Sequence, residues 1–271
     1  MKLKTALSAA LTACAILSTG PVAAQGLPDN ILHAELREGW RTSGGTQMAA
    51  LHLTLAPGWK TYWRAPGEGG IPPSFDWAGS QNIADVAFHW PKPQVFDLNG
   101  MRVIGYRNEL VLPMEFTAVD PSRPMTAMAE VELGVCEEIC VPMSLSINAA
   151  FDGSSQPDPM IEAALAQRPE SSGAAGLSSA RCEAEAIRDG LRVTASMAIP
   201  PVGPDEFAVV ELADRSVWIS AADTRRQGGA LTATADMVPP AAQPFALDRS
   251  SVRITIFGGS GRVVEVQGCT G

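Results

Sequence analysis

Much that a catalytic or nucleic-acid-binding chain relies on is scarce here. The 271 residues contain three histidines, and none lies close in sequence to a cysteine. No zinc site of four ligands can be assembled from local spacing. The sequence carries no phosphate-binding loop and no recognisable Ser/His/Asp set, so no cofactor is expected. Basic residues are outnumbered, with 20 Lys and Arg against 29 Asp and Glu. That balance disfavours nucleic acid and anionic membrane surfaces as partners, so no nucleic acid is expected. Beyond the first residues no run is long and apolar enough to span a bilayer, so stable membrane insertion is not expected.

What is present begins with an export signal. Met1-Lys-Leu-Lys4 opens a short apolar stretch through Leu17, and Gly20-Pro-Val-Ala-Ala24 follows. A basic start, an apolar centre and small residues before the cleavage point define a secretory signal peptide over 1–24. The alternative, a lipoprotein box acylated at Cys14, fits less well because apolar residues continue after it. Cleavage after Ala24 removes Lys2 and Lys4, leaving 18 − 29 = −11 on a protein of 271 − 24 = 247 residues. That length fits one large or two ordinary domains.

Export to an oxidising compartment changes the meaning of cysteine. Cys14 leaves with the signal, and Cys136, Cys140, Cys182 and Cys269 remain. An even number suggests two disulfides, and four cysteines allow three pairings. Local spacing favours Cys136 with Cys140, which leaves Cys182 with Cys269.

The first pair sits in Val131-Glu-Leu-Gly-Val-Cys-Glu-Glu-Ile-Cys-Val-Pro-Met-Ser-Leu-Ser-Ile147. Two alternating segments flank Glu137-Glu-Ile139. A hairpin would bring the two Cα atoms to ~5.5 Å, within disulfide range. One continuous strand would hold them roughly 13 Å apart. Alternation puts Val131, Leu133, Val135, Val141, Met143, Leu145 and Ile147 on one face. Both cysteines take the other, polar face, open to a protein partner.

Short alternating segments recur along the whole chain. They include Ile31–Leu36, Gln47–Leu55, the aromatic Gly58–Arg64, Val86–Trp90 and Leu110–Phe116, with a Pro- and Gly-rich loop over Ala65–Pro73. Asp158 and Pro159 read as N-cap and first residue of a short helix ending at Gln167. Ser171–Ser179 reads as a linker. Leu191–Ser196, Phe207–Leu212, Ser216–Ser220, Leu231–Asp236, Val252–Phe257 and Arg262–Val266 are again strand-like. The fold class is all-β, with two immunoglobulin-like antiparallel sandwiches joined by a short helix and linker. The expected divisions are 25–152, 153–180 and 181–271. Cys182 precedes the first strand of the last division and Cys269 follows its final one, so their bridge would be structural. Closing that loop removes ~4–5 kcal/mol of unfolded-state entropy in the simple chain model.

Several elements occur in a telling order. They are Gly58-Trp-Lys-Thr-Tyr-Trp-Arg-Ala-Pro-Gly67, Ile71-Pro-Pro-Ser-Phe-Asp-Trp77, Trp90-Pro-Lys-Pro93, Gly105-Tyr106 with Leu110-Val-Leu-Pro113, and Gly134-Val-Cys-Glu-Glu-Ile-Cys-Val-Pro142. In this series the chain resembles the N-terminal periplasmic domain of DsbD-type thiol:disulfide interchange proteins, and within them the ScsB-like branch. The resemblance implies an immunoglobulin-like sandwich with Cys136 and Cys140 as the exchanging pair. It implies a cap loop over that pair, at Phe96, Asp97, Leu98, Asn99 and Gly100, up to Met101. Its implied partners are a membrane-embedded thiol reductase and periplasmic thioredoxin-like oxidoreductases. Such proteins continue into a multi-span membrane domain and a thioredoxin-like domain. The sequence ends at Gly271 before either, so separately encoded partners are expected.

Exchange needs one thiolate to attack a disulfide sulfur and a second cysteine to resolve the mixed disulfide. Cys140 is the expected mixed-disulfide former. Glu137 and Glu138 lie between the sulfurs and disfavour thiolate, so the reduced pair is expected to be sluggish until a partner docks. Two other readings stand beside exchange. One is a docking module whose disulfides are permanent clips. The other is a copper-tolerance protein holding Cu(I) on two thiolates near Met143, a soft-ligand preference. His33, His52 and His89 are expected to be surface or packing residues. Trp59, Trp63, Trp77 and Trp90 are expected to anchor core and loops; Tyr62 and Arg64 are read first as packing residues, with lining of the cysteine end as the lesser alternative.

Overall fold

The computed structural model describes residues 31–98, 100–151 and 156–271. The expected signal peptide, Cys14 and Asn99 lie outside the described residues. Among those described, no helix is long and apolar enough to cross a membrane.

The alternating segments fold as strands, as period-2 patterning requires. The first ten are β1 (Leu32–Arg41), β2 (Gln47–Leu55), β3 (Lys60–Gly67), β4 (Ser74–Asp76), β5 (Ile83–Phe88), β6 (Gln94–Leu98), β7 (Met101–Arg107), β8 (Glu109–Ala118), β9 (Met125–Cys136) and β10 (Cys140–Phe151). They form two antiparallel sheets, ordered β1-β2-β8-β5 and β10-β9-β3-β7-β6, with β4 added on β9. The inner faces enclose one core. Leu51, Leu53, Leu112, Met114 and Phe116 come from the first sheet, and Trp63, Ile104, Val131, Leu133 and Val135 from the second.

A helix, α1 (Pro159–Ala166), follows. Asp158 accepts hydrogen bonds from the backbone N–H groups of Met160 and Ile161, and Pro159 occupies the first turn, so both cap signals act as they should. The helix buries Ile161 and Ala164 against Met48, Ala50 and Val111 on the outer face of the first sheet. Asp158 also pairs with Arg37 at 2.7 Å, tying the helix start to β1.

The remaining strands are β11 (Glu170–Ser171), β12 (Ser179–Ile187), β13 (Gly190–Ala198), β14 (Phe207–Glu211), β15 (Trp218–Ile219), β16 (Asp223–Gln227), β17 (Ala230–Val238), β18 (Arg253–Phe257) and β19 (Val263–Gln267). They form sheets ordered β11-β19-β18-β14 and β12-β13-β17-β15, with β16 also paired to β17. Val193, Ala195, Met197, Leu231, Ala233 and Ala235 of one sheet pack on Val210, Ile254, Ile256, Val264 and Val266 of the other. The fold is therefore the expected all-β one, with two sandwiches.

Two expectations are corrected. The segment 171–179 is not a free tether: Glu170–Ser171 pairs in parallel with Val264 and Glu265 of β19, and Ala175 is buried in the second core. Cys182 does not precede the first strand but lies inside β12, opposite Ala195. That strand, Ser-Ala-Arg-Cys-Glu-Ala-Glu-Ala-Ile, is dominated by Ala and Glu, which have weak intrinsic strand preference. Its pairing with β13 overrides that preference. Cys182 and Cys269 are disulfide-bonded, with Cα atoms 5.6 Å apart, and the bridge holds β12 to the chain just beyond β19.

The sandwiches meet through β3 and β7 of the first and β14, β18 and β19 of the second. Phe207 and Phe257 stack with ring centroids 4.7 Å apart, and Trp63 meets Phe257 edge-on at 5.7 Å. The Arg102 guanidinium lies 3.9 Å above the Phe207 ring.

Candidate functional site

The β9–β10 hairpin sets Cys136 opposite Cys140, with Cα atoms 4.2 Å apart and the sulfurs at bonding distance. The alternation assigned the faces correctly. Val131, Leu133 and Val135 enter the sandwich core, and the cysteines point away from it. What alternation could not show is that this outer face is covered at the cysteine end. Cys136 is 0 % exposed, in a small cluster with Tyr62 and Val103. Ile71, Phe96, Leu98 and Cys140 pack against that cluster while staying partly accessible. The pair is therefore asymmetric, with Cys136 buried and Cys140 partly exposed. The expectation of an open polar face holds for neither cysteine in full.

Gly134 makes the cover possible. A Cβ there would lie 2.7 Å from Ile71 Cβ and 2.9 Å from the Tyr62 ring, so no larger residue fits beneath them. Thr61, on the same stretch of β3, donates its hydroxyl to the Gly134 carbonyl at 2.9 Å.

Five residues were expected over the pair. Phe96 and Leu98 lie on β6 and pack on the cysteine cluster. Asp97 accepts a hydrogen bond from the Gly100 N–H at 3.0 Å, and Gly100 takes φ +83°, a turn conformation that suits glycine. The segment is the tip of a hairpin between β6 and β7, with Leu98 paired to Met101. Asn99 lies outside the described residues.

Tyr62 and Arg64 separate. The Tyr62 hydroxyl lies 2.8 Å from Cys140 Sγ, and burial raises its pKa, which keeps it a phenol able to donate. Arg64 does not line the cysteine end. It lies two residues beyond Tyr62 on β3, where the second sandwich packs. There its guanidinium, 3 % exposed, pairs with Glu211 at 3.0 Å and Glu265 at 2.6 Å. The partners come from distant sequence, so the segment around Arg64 could not show them.

Lys60 was missed. It is 5 % exposed, and its ammonium donates to the carbonyls of Glu137 at 2.9 Å and Cys136 at 3.4 Å. Burial lowers its pKa, with the Arg107 charge acting in the same direction and Glu137 opposing. The sequence had suggested a purely acidic setting for the sulfurs. Glu137 and Glu138 are indeed exposed at the hairpin tip, beside Ile139 at 76 % exposure. A cation nevertheless lies beneath the same turn.

The other candidates sit elsewhere. Met143 packs against the sandwich core, on the opposite face of β10 from Cys140, so it cannot join the two sulfurs in holding a copper ion. His52 bonds to Glu35 and Glu109, His89 bonds to Glu115, and His33 is exposed on β1. Trp63 and Trp90 are buried in the first core, with Trp59 and Trp77 packed against it.

The resemblance implied a cysteine pair at one end of an immunoglobulin-like sandwich; the burial of Cys136 beside a partly exposed Cys140 was not part of that expectation. Residues 32–149 match the family model described as thiol:disulfide interchange protein DsbD, N-terminal. The first sandwich is thus similar to the N-terminal domain of DsbD. Among solved structures, the N-terminal periplasmic domain of ScsB from Proteus mirabilis matches with a TM-score of 0.58 at 24 % identity. The alignment covers 89 % of this chain and 92 % of that one, so the likeness in fold extends beyond the DsbD-type sandwich into the second. No curated protein sequence matches.

Proposed function

We propose that the protein is a periplasmic thiol:disulfide interchange component that exchanges electrons at Cys136–Cys140. Its donor or acceptor would be a membrane-embedded thiol reductase on one side and thioredoxin-like oxidoreductases on the other. The observation that carries the reading is the asymmetry of the pair within a DsbD-type sandwich. Cys140 is partly accessible and bonded to the Tyr62 hydroxyl, while Cys136 is sealed behind it.

That asymmetry supports the following order of steps. A partner thiolate attacks Cys140 Sγ; the Cys136–Cys140 bond breaks, and a disulfide forms between partner and Cys140. The Cys136 sulfur leaves with the bonding electron pair and takes up a proton. The partner's second thiolate then attacks its own sulfur in the mixed disulfide. The partner departs oxidised, and Cys140 is released as a thiol. Two electrons and two protons have moved, and the reverse sequence reduces an oxidised substrate. Phe96 and Leu98 shield the bond from adventitious thiols, and a docking partner must displace or bypass them.

The test is the reduction potential of the pair, found by equilibrating the protein against glutathione or dithiothreitol buffers in a Cys182→Ser/Cys269→Ser background. A value in the range of exchange proteins, roughly −180 to −270 mV, supports the reading. A value below about −300 mV would mark a permanent clip and refute it.

A further inference from the structure

Lys60 is buried without a carboxylate partner among the described residues, and its position is unfavourable for stability. In the sheet it faces Cys136 of β9 on one side and Arg107 of β7 on the other. Residues directly opposite on neighbouring strands project to the same face, so Cys136, Lys60 and Arg107 form one row across the cysteine side of the sheet. Two like charges placed opposite each other destabilise a sheet, and burying an ammonium adds a desolvation cost. The hydrogen bonds to the Cys136 and Glu137 carbonyls recover part of that cost. A neutral donor would have made the same bonds more cheaply, so the charge itself requires a reason.

The exchange reaction supplies one. With Cys140 the reachable sulfur, Cys136 is the leaving group, and it must carry negative charge while wholly buried among Tyr62, Val103 and the residues covering them. A thiolate in an apolar site is strongly disfavoured unless a cation is close. We propose that Lys60 is an electrostatic positioning residue for exchange, holding the Cys136–Glu137 turn through its carbonyls and stabilising the Cys136 thiolate as it leaves. Arg107, held over the Phe96 ring at 5.2 Å, adds positive charge from the far side of the row. Glu137 and Glu138 oppose it from the hairpin tip, and the Tyr62 hydroxyl faces Cys140. The chain thus offsets an acidic hairpin tip with a cation beneath it. The inference rests on the exchange reading for its meaning, but its test does not need a biological partner.

The experiment measures the rate constant for reduction of the Cys136–Cys140 disulfide by dithiothreitol, in the Cys182→Ser/Cys269→Ser background, with Lys60 intact or changed to Met, Gln or Arg. A poorer leaving group slows thiol–disulfide exchange. Lys60→Met and Lys60→Gln are expected to slow reduction at least tenfold, and Lys60→Arg to stay within threefold of Lys60. A purely structural lysine predicts the opposite sign, because a loosened turn exposes the disulfide and speeds its reduction, and Gln would restore the parent rate. Unchanged or faster reduction in Lys60→Met and Lys60→Gln overturns the proposal. Should those variants fail to fold, the thiol pKa of Cys136 is titrated in a Cys140→Ser variant with Lys60 intact. A value at or below the ordinary ~8.5, despite burial, supports the proposal. A value well above it refutes the role of the charge. Failure of the protein to exchange with any thioredoxin-like partner would remove the exchange reading and leave these results standing.

Discussion

Replacing Arg64 by Met tests whether the two sandwiches are held together by one buried guanidinium. Arg64 Nε lies 3.0 and 3.2 Å from the two carboxylate oxygens of Glu211, and Nη2 lies 3.0 Å from the second of them. Nη2 also reaches Glu265 at 2.6 Å and Thr255 at 3.4 Å, while Cζ sits 4.2 Å from the Trp63 ring centroid. Met keeps most of the packing on Trp63 and removes the charge. Breaking a buried ion pair by deleting one partner costs about 3–5 kcal/mol. The Glu211 and Glu265 side chains are 16 % and 31 % exposed, so water can partly solvate them once Arg64 is gone. The expected loss is therefore nearer ~2–4 kcal/mol. For a protein of this size that corresponds to a fall of roughly 5–15 °C in Tm. Denaturant titration and calorimetry of the oxidised protein measure it. Unfolding must first be shown to be a single transition, since an uncoupled pair of sandwiches would give two. The triple variant Arg64→Met/Glu211→Gln/Glu265→Gln should recover at least half of the loss, because no uncompensated carboxylates remain. A loss below about 1 kcal/mol for Arg64→Met would refute the argument, placing the pair with exposed ion pairs that contribute little.

Two further outcomes follow from particular side chains. Leu98→Ala thins the cover over the cysteine cluster without touching either sulfur, so dithiothreitol should reduce Cys136–Cys140 severalfold faster while Tm falls only slightly; an unchanged rate would show that Leu98 does not shield the bond. Burial works against ionisation of Glu206, but Arg226 and the Val202 N–H outweigh it and hold the carboxyl below its usual range. A group with a depressed folded-state pKa contributes stability above its unfolded pKa of ~4.3, and loses it as pH falls through the folded value. Glu206→Gln should therefore cost about 2 kcal/mol at pH 7, and the gap from the parent should close on acidification below about pH 4. A gap that stays constant from pH 7 to pH 3 would contradict this sign.

Alternation and turn chemistry determined a good deal by themselves. The two faces of β9 and β10, the meeting of Cys136 with Cys140, the cap of α1 at Asp158 and the all-β character depend on local geometry with a period of two or on a single turn. Such features are written in consecutive residues. β12 was hidden because its Ala- and Glu-rich sequence becomes a strand only through pairing with β13. The linker expected over 171–179 is held against the second sandwich, with Ser171 paired to Glu265 of β19 and Ala175 buried, partners remote in sequence. Lys60 beneath the cysteine turn, Tyr62 against Cys140 and Arg64 in the second sandwich stand within five residues on one strand. Their three destinations depend on which strands lie beside β3 and on the second sandwich that packs against it. Composition showed an acidic protein with acidic residues between its sulfurs. Only the tertiary structure brought a cation under them, because electrostatic environment is set by distance through space and by burial, and neither is encoded in spacing along the chain.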